Sequence, residues 1–159
     1  MTIIPEGEKH KISYKWTPEN DQYTQQHVID VGDVSGHQIR IYEIQRAWPN
    51  NPPAFNGVRV KEERLCAISD YIDINGHSWG YSHYVLENGD NIFARFDGTS
   101  QTIANPDGSK KSTFTGVVTL TDGTRKFRGI EGTARYTAVF DPNVGLNEGQ
   151  VEGEYWIAK

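Results

Sequence analysis

The sequence predicts an all-β fold, with antiparallel strands joined by short turns and either closed into an up-and-down barrel or stacked as a sandwich. Three observations predict it. No helical periodicity is sustained anywhere, whereas period-two alternation recurs in runs rich in β-branched and aromatic residues. Gly-containing pairs punctuate those runs at Asn56-Gly57, Asn75-Gly76, Asn88-Gly89, Asp107-Gly108 and Asp122-Gly123. Asn and Asp tolerate a positive φ and Gly adopts it freely, so such pairs close tight hairpins. The aromatic complement of four Trp, eight Tyr and six Phe is the filler that β cores use.

The elements follow in chain order. Residues 1–20 read as irregular, a segment that packs over one end of the fold. Strands are expected at 24–31 and 37–46. Residues 47–62 contain Pro49, Pro52 and Pro53; proline removes a ladder donor, so this stretch reads as a crossover loop or lid and not as a central strand. Six more strands are expected at 64–74, 77–87, 91–100, 112–121, 131–140 and 150–158, which makes eight. The clearest hairpin joins 77–87 to 91–100. No repeat, low-complexity tract or linker divides the chain, so 1–159 reads as one domain of ordinary size.

Composition narrows the function classes. Net charge is −5 with acids and bases interspersed, and basic residues cluster only at Lys110-Lys111 and around Arg125, Lys126 and Arg128. A nucleic-acid binder carries a basic field over one face, so that role is not expected. No run approaches the ~20 apolar residues that span a bilayer, and the first residues carry no signal-peptide-like apolar core. A cytoplasmic protein with no membrane partner is the expectation. The single cysteine, Cys66, excludes an intramolecular disulfide framework and a multi-thiolate metal site. There is no His pair at metal-ligand spacing, no HExxH, no nucleophile elbow and no phosphate-binding loop, so neither a metal nor a cofactor is expected.

Three segments, in order along the chain, resemble the bacterial and plant allene oxide cyclase-like barrels, a group that includes the dirigent proteins. They are Ile41-Tyr42-Glu43-Ile44-Gln45, then Leu65-Cys66-Ala67-Ile68 running on to Phe96-Asp97-Gly98, then Thr121 to Gly132, similar to that family's glycine-rich turn. Arg125 stands where that pattern usually has a glycine. The segments 27–33 and 36–40 resemble uncharacterised bacterial members more than the plant enzymes. The resemblance implies an eight-stranded antiparallel β-barrel with an apolar lumen and, in the plant enzymes, a trimer, so a homo-oligomer is expected by resemblance. The chain departs from the plant pattern in its shortened, proline-rich connection between Glu43 and Cys66, and Gln45 replaces the strand asparagine.

Alternation on 37–46 places Ile39, Ile41, Glu43 and Gln45 on one face. If the isoleucines face the lumen, Glu43 does too, the phase that the resemblance also implies; the alternative is an outward Glu43 paired with a neighbouring base. A carboxylate inside an apolar barrel is costly unless paired or protonated, and function is the usual reason to keep it. On the next strand Cys66, Ile68 and Asp70 share a face. An inward Asp70 would make a carboxylate pair with divergent proton affinities; an outward, solvated Asp70 is the simpler reading, as is a Cys66 that merely fills space. Trp79, Tyr81, His83 and Val85 share a face that could put His83 in reach of a proton and Tyr81 against a ligand oxygen, while the opposite phase, with Ser82, Tyr84 and Leu86, is nearly as apolar.

The expected function is therefore small-molecule binding in the barrel lumen. The catalytic version is a cofactor-free isomerase, cyclase, lyase or hydratase acting on a hydrophobic, oxygenated substrate. Its catalytic residues would be Glu43, Asp70 and His83, and Ile41, Gln45, Cys66, Ile68, Trp79 and Tyr81 would bind the substrate. The alternatives are a lipocalin-like carrier of a hydrophobic ligand and a dirigent-like protein that steers radical coupling.

Overall fold

A computed structural model describes residues 7–141 and 144–158. The chain is all-β and antiparallel, with ten strands. They are β1 His10–Trp16, β2 Asp21–Asp30, β3 His37–Arg46, β4 Ala54–Phe55, β5 Val58–Ile72, β6 Asn75–Leu86, β7 Asn91–Ala104, β8 Lys110–Gly123, β9 Ile130–Asp141 and β10 Leu146–Ile157. Nine of them pair in the order β1-β10-β9-β8-β7-β6-β5-β3-β2, and β4 pairs with β5 alone. All eight expected strands are present. The count and the closure are corrected: the sheet has ten strands, not eight, and it is not a closed barrel.

The ninth member of the main sheet, β1, lies in the stretch expected to be irregular; residues 1–6 of that stretch lie outside the described residues. Ile12, Tyr14 and Trp16 alternate with polar residues and are buried, a period-two signal that was present in the sequence. β1 ladders onto β10 from His10↔Tyr155 to Trp16↔Gly149. At its far end a short 3₁₀ turn, Pro18–Asn20, diverts the chain, and no ladder joins β1 to β2. The Trp48 indole, just past β3, reaches β1 instead, Nε1 donating to the Lys15 carbonyl at 2.8 Å, while Asn20 and Ala47 extend the β2–β3 pairing.

The sheet curls strongly enough for β1 to touch strands far along it, since Tyr14 meets Tyr84 on β6. Small residues on the concave face make room for the rings. Gly149 lies opposite Trp16, and a β-carbon there would sit 2.0 Å from the indole. The connection from β3 to β5 seals one end of the concave face. Phe55, 1% exposed, packs on Tyr84 and Tyr155, and Trp48 stands edge-on to Tyr14. Burying such rings contributes on the order of 2–3 kcal/mol each. β3 and β5 are adjacent and antiparallel, so the proline-rich segment between them is a hairpin connection and not a crossover. Phe127 and Ile130, both 0% exposed, anchor the turn between β8 and β9.

Three of the five Gly-containing pairs lie in turns, and Asp122-Gly123 ends β8 next to one. The fifth follows its turn instead of forming it. The β5–β6 hairpin turns on Asp73-Ile74, both at positive φ, and Asn75-Gly76 begins β6. Among the described residues no helix is long and apolar enough to cross a membrane.

Candidate functional site

The phase expected for three strands is corrected. On β3 the concave face carries Arg40, Tyr42, Ile44 and Arg46, with Ile44 and Arg46 buried, while Ile41 is 53% exposed on the convex face. Glu43 lies on that outer face. Its Oε1 accepts from the Thr24 hydroxyl at 2.5 Å, and this bond lowers its pKa from the ordinary carboxylate value. Gln45 is also outside, bonded to Glu62. On β5 the buried set is Glu63, Ala67 and Ser69, so Cys66, Ile68 and Asp70 face outward. On β6 the buried set is Ser78, Ser82, Tyr84 and Leu86, so Trp79, Tyr81 and His83 face outward as well.

The expected residues are thus brought together, but on the convex surface. Glu43 sits opposite Cys66, whose thiol donates to it at 3.8 Å; burial and this carboxylate raise the thiol pKa. Ile41, Ile68 and Trp79 form one cross-strand row, and Tyr81, 70% exposed, flanks Cys66. Asp70 accepts from His37 Nε2 at 2.6 Å, and His83 Nε2 bonds Asn91 at 2.8 Å. A lumenal site built on Glu43, Asp70 and His83 does not fit this orientation.

The concave face holds a different polar centre. Arg46 forms a fork with Asp21, through Nε to Oδ1 at 2.5 Å and Nη2 to Oδ2 at 3.1 Å, and reaches Glu63 Oε1 through Nη1 at 3.1 Å. Its guanidinium lies 4.0 Å from the Trp16 ring centroid. Glu63, 2% exposed, also accepts from Ser82 at 2.5 Å and from the Tyr14 hydroxyl at 3.3 Å, and Tyr14 bonds Tyr84 at 2.8 Å. Burial and the nearby Glu63 raise the pKa of both phenols, so they remain hydroxyls.

Above this centre lies a cavity of about 140 Å³. Leu65, Phe96, Phe114, Val118 and Val151 wall it. Its polar groups include Tyr23, Tyr42, Tyr71, Tyr136, Arg40, Ser78, Thr99 and Asn147, and Asp21, Arg46 and Glu63 of the ionic centre also border it. Tyr42 and Ser78 hydroxyls are 3.1 Å apart. Desolvation pushes Tyr71 up to about 12 and Tyr136 higher still. Gly98 and Gly116 leave the space that the Tyr136 hydroxyl fills, since a β-carbon at either would lie within 2.5 Å of it.

Sequence reasoning missed Arg40, Tyr42 and Arg46 because it treated isoleucine as the inward residue, and Glu63 because it falls between the expected loop at 47–62 and the expected strand at 64–74. The two faces of β3 are about equally mixed in polarity. A register shift between Val60 and Glu62 also flips the phase of β5, so buried Val60 is followed by buried Glu63. The available signal was the alternative phase of β6, with Ser82, Tyr84 and Leu86 inward. Among the described residues no group of three or more His, Cys, Asp or Glu is placed to hold a metal ion. Comparison of the chain with protein-family models, with curated proteins and with solved structures finds no match.

Proposed function

We propose that this chain is a small-molecule-binding β-fold whose ligand occupies the concave-face cavity, held by apolar contact within and by hydroxyl and guanidinium groups around it. One observation carries the reading. A cavity with walls of Phe, Leu and Val is paired with a small set of polar side chains that converge on it, the usual composition of a ligand site. The ionic centre at Arg46 supports the walls. Glu63 already accepts from Arg46, Ser82 and Tyr14, so it serves as an anchor for the strands around the cavity.

Binding is tested with benzene, added to ¹⁵N-labelled protein and followed by amide chemical shifts. Shifts confined to the strands around Phe96, Phe114 and Val118, and lost in Ala138→Phe, are the expected result. Shifts scattered over the surface would sink the reading.

A catalytic version, the cofactor-free isomerase or lyase, has one observation in its favour: a carboxylate does line the cavity, although it is Glu63 and not Glu43. Incubating candidate ligands in D₂O separates the two versions. An acid–base enzyme incorporates deuterium at the substrate carbon, and a carrier does not. The allene-oxide-cyclase-like and trimeric readings rest on the three sequence motifs, and the row Ile41, Ile68 and Trp79 on the convex face supports a self-associating surface there.

A further inference from the structure

We infer that the cavity ligand is a single-ring aromatic carboxylic acid, its ring among the apolar walls and its carboxylate on Arg40. This rests on the small-molecule reading above and names the chemical class.

Size sets the first limit. A cavity of about 140 Å³ is close to the ~150 Å³ that accommodates one benzene ring. A second fused ring or a long acyl chain would extend beyond this volume, through the cavity's open side. Phe96 and Phe114 supply ring edges and faces for stacking.

Charge sets the second. The cavity borders two arginines and two carboxylates, and both carboxylates, Asp21 and Glu63, are engaged by Arg46. Arg40 has no carboxylate within ion-pair distance among the described residues. Its protein acceptor is Gln26 Oε1 at 3.2 Å. A guanidinium has five N–H donors in one plane, so most of its donor capacity is open. The guanidinium is held in place, its carbon lying over the Tyr42 ring at 4.6 Å from the centroid and 5.7 Å from that of Tyr23. A guanidinium offers parallel donors along its edge, and a carboxylate takes two of them. Tyr42 and Tyr71, phenols whose high pKa burial raises further, add hydroxyl groups to the same cavity lining. A neutral ligand of the same shape leaves this charge unmatched.

The test compares phenylacetate with phenylacetamide, which share shape and differ in charge. Binding is followed by Trp fluorescence, Trp16 lining the cavity, in wild type, Arg40→Gln and Arg40→Lys. The expected result is at least a tenfold preference of wild type for phenylacetate. The preference should fall to about parity in Arg40→Gln, chiefly through lost phenylacetate affinity, and be partly kept in Arg40→Lys, which retains charge without the fork. Equal affinity of wild type for the two probes overturns the acid inference and leaves the pocket reading standing. If neither probe binds and benzene also leaves the amide shifts unchanged, the pocket reading itself fails.

Discussion

A buried arginine is tolerated in a β interior only when its charge and its donors are met. Arg46 meets two carboxylates and an indole face. Burial alone would loosen its proton, but Glu63 and Asp21 outweigh that and raise its pKa further. Glu63→Gln keeps the shape and removes the charge, leaving the donors of Arg46, Ser82 and Tyr14 short of acceptors. It is expected to cost about 3–5 kcal/mol in urea denaturation, whereas Glu152→Gln on the exposed face should stay within about 0.5 kcal/mol. His37 differs because it is near solvent. Hydrogen bonds to Asp70 and then Asp33 raise its pKa above the ordinary 6.5, and only the protonated ring donates to both. Its contribution is therefore fully present below pH 6.5 and is lost as pH rises through the raised value. The check is an NMR titration of the His37 ring alongside melting curves of wild type and His37→Gln. The two melting curves should converge above the His37 titration, and parallel curves at every pH would show that the pairing contributes nothing.

At the level of elements, two of the turns that hold a non-glycine residue at positive φ have opposite expected consequences. Ile74 sits at φ 63° in a two-residue hairpin turn, a conformation that a β-branched residue adopts only at a cost. Its carbonyl is pinned by the Ser100 and Thr102 hydroxyls, and these bonds remain if the side chain is removed. Ile74→Gly should therefore stabilise the protein by about 1 kcal/mol, read as a higher urea midpoint. Arg125, at φ 50°, stands where the resembling glycine-rich turn has a glycine. Here the side chain has a partner, since Nε lies 2.7 Å from Asp90, a carboxylate only 3% exposed. Arg125→Gly relieves the backbone but removes that carboxylate's charge partner, leaving it Asn88 Nδ2 and the Thr124 hydroxyl, so a net loss of about 1–2 kcal/mol is expected. Unchanged or raised stability on urea denaturation would show that the pairing is idle.

On the scale of the whole molecule, the sheet curls without closing, and the Trp48 indole reaches β1 where a barrel would have a ladder. The convex face carries an apolar row, Ile41 beside Ile68 and Trp79, with Ile39 and Ile29 adjacent. If the proposed self-association uses this row, light scattering of wild type gives a multiple of the chain mass. The double variant Ile41→Glu with Trp79→Glu then returns it to one chain. A monomeric wild type at high protein concentration would dispose of the idea.

The sequence by itself determined the all-β class, eight strands and most turns, because alternation and Gly-containing pairs are local signals that a strand cannot hide. The same alternation in Ile12, Tyr14 and Trp16 would have shown β1. It could not say which face of a strand is inside. Strands that mix isoleucine with arginine and tyrosine read alike in both phases, and a single bulge near Lys61 reverses the answer. Arg46 can be interior only because Asp21, Glu63 and Trp16, from three other strands, converge on it. That convergence comes from the curl of the sheet, and so the polar centre moved from Glu43 on the convex face to Glu63 on the concave one. Closure, too, was a tertiary matter: the turn at Pro18–Asn20 carries β2 away from β1, leaving an open sheet where the family resemblance had implied a closed barrel.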